Sequence, residues 1–156
     1  MTDLTTQLAK VDMFQGLDPG QLQSIFRISD TEQFEQDAVI FKEGDPGEEL
    51  YVIVNGKVRI TREYALGGDE TLAILEDGQA FGEMAVIGDD VVRSAAARAA
   101  EKSVLLVLKR KPFRQLLHKD RDLAYTVLWN VLKQISGRLR TTNEKVMMFL
   151  TSAGLY

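Results

Sequence analysis

The pattern of apolar positions changes its period twice along the chain. Leu4, Leu8 and Val11 recur at helical spacing, which predicts a helical opening segment over residues 1–30. Within it Asp18-Pro19 reads as an N-cap followed by proline at the first helical position, opening a short helix through Phe26. From about Glu32 the pattern shortens to β segments at 32–35, 38–41, 50–55, 57–64, 69–75, 94–99 and 104–109. Val52 and Val54 alternate with Tyr51 and Ile53, and Val104-Leu105-Leu106-Val107-Leu108 is continuously apolar. Both patterns suit strands buried on one or both faces. Helical spacing then returns: Pro112 opens a short helix through His118, and a longer one runs from about Arg121 to Leu150.

Glycines punctuate the β region. Gly44, Gly47, Gly56, Gly67-Gly68, Gly78 and Gly82 fall near strand ends, where tight turns use positive φ. Asn55-Gly56 is the strongest hairpin signal, between Tyr51–Val54 and Lys57–Ile60. Many short strands at regular spacing argue for a sandwich or rolled barrel rather than βαβ units. The expected fold class is therefore α+β. An antiparallel, jelly-roll-like β-roll of about eight strands occupies 31–120, behind N-terminal helices in 1–30 and ahead of a long C-terminal dimerisation helix at 121–150, all in one domain.

Along the last helix, Leu128, Leu132, Ile135, Leu139, Thr142, Val146 and Phe149 are spaced 4, 3, 4, 3, 4, 3. That is a heptad seam with one polar member, Thr142, and it predicts a homodimer. The alternative is an amphipathic helix packed on its own barrel.

Composition narrows the function classes. With 156 residues there is room for one domain with a proper core. The balance of 19 Lys+Arg against 23 Asp+Glu gives a net charge of −4, a poor match to nucleic-acid binding through clustered positive charge. The absence of cysteine excludes a disulfide framework, a thiol nucleophile and an Fe–S site, and is compatible with a cytoplasmic location. Met1-Thr2-Asp3-Leu4 lacks the basic n-region of a signal peptide, and no apolar run approaches the ~18 residues of a membrane span. His118 is the single histidine and lies in the short helix that follows the last predicted strand. Neither a histidine-rich metal site nor a Ser-His-Asp set can be assembled around it, so no catalytic residue and no metal ligand is assigned, and the protein is expected not to be an enzyme.

The candidate chemistry lies in Phe81-Gly82-Glu83-Met84-Ala85, followed ten residues after the glutamate by Arg93-Ser94-Ala95-Ala96. Phe81 ends a strand, Gly82 turns, and Glu83-Met84-Ala85-Val86 begins a short helix that Gly88-Asp89-Asp90 ends. The free N–H groups of a helix start favour an anion. The Arg93 guanidinium offers a fixed fork of donors that matches a phosphate, and Ser94 adds a hydroxyl. Glu83 can accept from a ribose 2′-hydroxyl, and Ala95 to Ala97 leave room for a ligand. The same residue types are also those of an ordinary surface ion pair between Glu83 and Arg93.

Phe-Gly-Glu-x-Ala followed by Arg-Ser-Ala resembles the phosphate-binding cassette, here residues 81–97, of cyclic nucleotide-binding domains. Ile40 to Val58 is similar to that family's first strands and turns, and Met13-Phe14-Gln15-Gly16-Leu17 to its helical entry. Lys111-Pro112-Phe113-Arg114-Gln115-Leu116-Leu117 and the long helix resemble the sensor half of the bacterial catabolite activators. The resemblance implies that Glu83 binds the ribose 2′-hydroxyl and Arg93 the cyclic phosphate. Ser94 and the backbone of Ala85 would add donors, and Gly82 would shape the turn, with Met84 and Ala95 alongside. Thr142 matches the position that reads the adenine amine, and Arg138 an arginine close to the cassette glutamate. Asn143 stands where the activators have a serine contributed from the partner subunit. The implied ligand is cAMP, with cGMP the other admissible purine.

The resulting expectation is a cyclic nucleotide sensor that couples binding to rearrangement of a dimer helix and passes its signal to a downstream protein. Only Thr151–Tyr156 follow the long helix, so direct DNA binding by this chain and a membrane role are not expected. The stand-alone sensor is the preferred reading. The alternatives are a sensor fragment of a DNA-binding regulator without its helix-turn-helix, and a dimeric interaction module that binds no ligand.

Overall fold

The computed structural model describes residues 4–89 and 92–155. Helix α1 (Leu4–Leu8), a 3-10 turn (Asp12–Phe14) and helix α2 (Pro19–Arg27) precede the β region. The strands are β1 (Ser29–Phe34), β2 (Val39–Phe41), β3 (Glu49–Asn55), β4 (Val58–Glu63), β5 (Asp69–Leu75), β6 (Ala80–Phe81), β7 (Ala96–Ala99) and β8 (Ser103–Lys109). Helix α3 (Met84–Ile87) interrupts the strands between β6 and β7, and α4 (Arg110–Lys119) and α5 (Arg121–Ser152) close the chain.

The strands form two antiparallel four-stranded sheets, ordered β1-β8-β3-β6 and β2-β7-β4-β5. This is the expected α+β roll. Side chains alternate across a strand, and in β3 and β8 that alternation serves two cores. Leu50, Val52, Leu106 and Leu108 face the helices, against Leu8, Phe14, Ile25, Phe113 and Leu123. Tyr51, Ile53, Leu105 and Val107 face the interior of the roll with Val58, Phe81 and Ala97. The continuous apolar run of β8 is thus a strand covered on both sides.

The expected cap of α2 is present: the Asp18 carboxylate accepts from Gln21 N–H at 2.8 Å, and the Gln21 side chain accepts from Asp18 N–H at 3.0 Å, the reciprocal capping box. Several boundaries differ from the sequence expectation. Val11 lies after α1, and β1 begins at Ser29 rather than Glu32, because it runs in register from Ser29↔Leu108 to Phe34↔Ser103 while its side chains are mostly exposed and show no apolar alternation. Helix α4 begins at Arg110, with Pro112 inside its first turn.

The Asn55-Gly56 hairpin is not formed. Strand β3 pairs with β6 and β8, and β4 with β5 and β7, so this turn carries the chain from one sheet to the other. Gly56, with φ +111°, leaves no space for a side chain: a Cβ there would lie 2.7 Å from Ser103 Cα. Its N–H donates to the Asp77 carboxylate at 2.7 Å, and Lys57 N–H to the Ser103 hydroxyl at 3.1 Å. A local turn signal dictates a reversal of direction, whereas the partners of the two strands follow from which faces are buried. The tight hairpin is β4–β5, turned through Gly67-Gly68, with Tyr64 N–H donating to the Gly68 carbonyl at 2.9 Å.

In α5 the face carrying Leu123, Val127, Asn130 and Val131 is buried on the chain's own core. The Asn130 side-chain amide donates to the Met13 and Gln15 carbonyls at 3.2 and 2.8 Å, tying the long helix to the N-terminal turn. The heptad seam does not pack on the barrel: Leu128, Leu132, Ile135, Leu139, Val146 and Phe149 are 37–68% exposed. Among the described residues no helix is long and apolar enough to cross a membrane.

Candidate functional site

The site is built around one buried cation. Arg93 lies in the link between α3 and β7, which starts at Ala96 and not at the expected Ser94. The link is pinned to the preceding β2–β3 loop by Arg93 N–H to the Asp45 carbonyl and Gly44 N–H to the Arg93 carbonyl, both 2.8 Å, and by a bridge between Pro46 and Val92. The side chain turns inward and is only 5% exposed.

Three aromatic rings form its floor. Phe41, Tyr51 and Phe81 have centroids 5.2–6.0 Å apart, and the Arg93 guanidinium carbon sits 4.1 Å over the Phe41 ring centroid. A desolvated cation on an aromatic face is stabilised by about 2 kcal/mol. Burial, and next the Glu49 charge, push the Tyr51 phenol above its ordinary pKa, while Arg93 pulls it down.

Two glycines make the space. A Cβ at Gly47 would lie 2.3 Å from Arg93 Nε, and one at Gly82 would lie 2.7 Å from Arg93 Nη1. Gly82 also has φ +77°, which only glycine adopts without strain. Gly47 needs no positive φ, so space alone excludes a side chain there.

Arg93 Nη2 donates to the Glu49 main-chain carbonyl at 2.9 Å and to its carboxylate at 3.3 Å. Nε is buried without a hydrogen-bond partner among the described residues. A buried donor left unpaired costs about 1–3 kcal/mol. A phosphate oxygen would satisfy it, so the residues present fit an anionic ligand.

Glu83 does not pair with Arg93, which removes the simple surface ion pair as an account of the motif. Its carboxylate accepts from Arg138 Nη1 at 2.8 Å, and Arg138 Nη2 donates to the Ala80 carbonyl at 3.0 Å. The structure thus brings Gly82, Glu83, Arg93 and Arg138 together at the β6–α3 corner. Thr142 and Asn143 are exposed on α5. Thr142 follows Arg138 by four residues, on the same helix face and about 6 Å along the axis. Thr141, not Thr142, donates to the carbonyl four residues back, Gly137, at 3.2 Å. Ser94 and Met84 are exposed and Ala95 half-buried. The Ala85 N–H is engaged with the Gly82 carbonyl at 3.0 Å, so it is not the free donor expected. Asp90, expected to help end α3, lies outside the described residues.

Sequence reasoning missed the device that holds α3. Arg110 donates to the carbonyls of Ala85, Asp89 (2.9 Å) and Gly47 (3.0 Å). Arg114 donates to Val86 (2.7 Å), Ile87 (2.9 Å) and Gly88 (3.0 Å) carbonyls and to the Asp89 carboxylate (2.9 Å). Two cations at the C-terminal end of a helix satisfy its orphan carbonyls and oppose its negative pole. Their spacing of four residues on α4 was the available signal. Glu49, Gly47, Phe41 and Tyr51 were also unassigned; only the apolar alternation placed Tyr51 on an inward face.

A β-roll with a buried guanidinium beside a carboxylate, linked to a long partly exposed helix, defines a ligand-binding regulatory domain. The family of cyclic nucleotide-binding domains matches residues 31–120, and the chain belongs to that family. The Cyclic AMP receptor protein of Thermus thermophilus is 36% identical over 128 residues, covering 82% of this chain and 57% of its own. The cGMP-dependent protein kinase 2 of Homo sapiens is 34% identical over 94% of this chain and 22% of its own length. The crystal structure of Thermus thermophilus Catabolite Activator Protein is similar with a TM-score of 0.78 and 32% identity, covering 88% of this chain and 62% of that one. This chain spans 57–60% of the length of the bacterial regulators it matches.

Proposed function

We propose that this chain binds cAMP and couples that binding to the long helix of a homodimer. The single observation carrying the reading is Arg93: a buried cation, held under Gly47 and Gly82, with an unpartnered Nε. Such an arrangement is unfavourable unless an anion completes it. Arg93 takes the cyclic phosphate with the Ser94 hydroxyl beside it. Glu83 takes the ribose 2′-hydroxyl, its orientation held by Arg138. Thr142 and Asn143 on the exposed face of α5 meet the purine, Asn143 from the partner subunit. The similarity to the Thermus cyclic AMP receptor protein favours adenine, and the similarity to the human cGMP-dependent kinase keeps cGMP as the comparison ligand.

The exposed seam of Leu128, Leu132, Ile135, Leu139, Thr142, Val146 and Phe149 supports dimerisation, since a row of large apolar groups at heptad spacing gains from burial against a second copy. The ligand can shift the dimer only through contacts that differ between the two states. Here those are Glu83–Arg138 on one side and the purine with Thr142 on the other. The signal then leaves through α5 to a downstream protein or domain.

Calorimetric titration tests the reading. cAMP is expected to bind at micromolar concentration or tighter, at least −8 kcal/mol by the usual arithmetic. Arg93→Ala should lose about 2–5 kcal/mol of it. Binding of neither cAMP nor cGMP overturns the reading.

A further inference from the structure

Glu49 brings a negative charge to the cation that the nucleotide reading gives to the ligand. Its main-chain carbonyl and its carboxylate both accept from Arg93 Nη2, at 2.9 and 3.3 Å. The carboxylate is steadied by the neighbouring Glu48 N–H at 3.2 Å. Among the described residues it is the one carboxylate ion-paired with Arg93, and while the Arg93 side chain is 4% exposed, that of Glu49 is 36% exposed. Glu48 points elsewhere, toward Arg110.

The fork of Arg93 is therefore divided. Glu49 holds the Nη2 end. Nε is buried and unpartnered, and Nη1 makes no hydrogen bond with the described residues, so the Nε–Nη1 edge is the one left for a ligand. A phosphate on that edge meets a guanidinium whose charge is already offset by a carboxylate on the opposite edge. The first negative charge of the ligand completes a buried donor set. A second one is repelled by the Glu49 carboxylate, which already pairs with the opposite end of the same guanidinium.

We propose that Glu49 sets the charge this site accepts, admitting a phosphodiester with one negative charge and disfavouring a phosphomonoester with two. This rests on the nucleotide reading for the class of ligand. It makes Glu49 a specificity-determining residue that separates a cyclic nucleotide from its linear monophosphate, two molecules that share the same base and ribose.

The test is a charge series. At about pH 8, well above the second ionisation of a phosphomonoester near ~6, adenosine, cAMP and 5′-AMP carry no, one and two negative charges. Competition calorimetry is run on the wild type and on Glu49→Gln, which keeps the main-chain carbonyl bond to Arg93. The substitution should leave adenosine unchanged, strengthen cAMP about tenfold and 5′-AMP about a hundredfold, so that the preference for the cyclic form falls about tenfold. An equal effect on all three ligands, or weaker cAMP binding, overturns the proposal and leaves Glu49 as a brace for Arg93.

A second measurement needs neither a nucleotide nor the variant. The Arg93 Nε–H resonance of the wild type is titrated with dimethyl phosphate, a monoanion, and methyl phosphate, a dianion at this pH. Stronger binding of dimethyl phosphate supports the charge rule, and preference for methyl phosphate overturns it. If the methyl phosphates sort by charge while cAMP does not bind, the nucleotide reading falls and the charge rule stands. If cAMP binds while the charge series is flat, the reverse holds.

Discussion

Arg138 Nη1 lies 2.8 Å from Glu83 Oε1, and the second arm of the same guanidinium donates to the Ala80 carbonyl at 3.0 Å. One side chain of the long helix thus holds both flanks of the Phe81-Gly82 corner, and with it the residue that leads into α3. This is a physical connection between the roll and the helix that carries the exposed seam.

A double-mutant cycle measures that connection. Glu83→Gln and Arg138→Gln, alone and together, are compared by urea unfolding without ligand. Arg138 is 45% exposed and Glu83 17%, so screening limits the coupling to about 0.2–1 kcal/mol. Strictly additive losses would show that the contact couples nothing.

Gly47→Ala should damage binding more than folding. The added carbon would meet Arg93 Nε at 2.3 Å and Cζ at 2.5 Å, so the guanidinium must leave its place over Phe41. Affinity for cAMP is expected to fall at least tenfold, about 1.4 kcal/mol. An unchanged dissociation constant would mean that the ligand does not use Arg93 in its buried position.

Arg114→Ala should loosen α3 while the roll persists. It removes the donors to the Val86, Ile87 and Gly88 carbonyls, each a group that costs about 1–3 kcal/mol if buried unpaired. Hydrogen exchange at the amides of 85–88 should quicken by at least tenfold, with β3 and β8 still protected. Arg114→Lys should rescue only in part, because an ammonium cannot fork across three carbonyls. Full protection in both variants would contradict the clamp.

Leu139→Lys and Thr142→Ala probe the seam separately. Leu139 is 59% exposed in the single chain, so a lysine there is tolerated by the fold but not by an apolar helix pair. Sedimentation should give a dimer for the wild type and a monomer for the variant; equal masses would remove the seam from dimerisation. Thr142→Ala should weaken cAMP more than cGMP, and equal losses would exclude Thr142 from purine reading.

Much of the architecture was legible from local pattern. The cap at Asp18, the strand period of β3 and the apolar run of β8 each follow from contacts within a few residues or from a face that must be buried. The cassette was legible only through its resemblance to a known family, since Glu83 and Arg93 taken as residue types equally suit an ordinary surface ion pair. The pairing was legible in part. Glu83 lies ten residues from Arg93 but binds Arg138, 55 residues away, the closeness that the family resemblance implied. Arg93 binds Glu49, 44 residues away, a partner that nothing in the sequence signalled, since charged side chains select neighbours by proximity after the backbone has folded.

By itself the sequence determined the order and type of most elements and the α+β roll, because hydrophobic period, proline, glycine and capping residues act locally, while the chemistry at 81–97 was read through its family resemblance. Tertiary structure decided the rest. It turned Asn55-Gly56 from a hairpin into a crossing between sheets, since burial on both faces draws β3 to β8. It placed the seam of α5 outward, since Leu123, Val127 and Val131 claim the core. It also gathered Gly47, Glu49, Phe41 and Gly82 around Arg93, residues that only the closing of the roll brings within reach of one guanidinium.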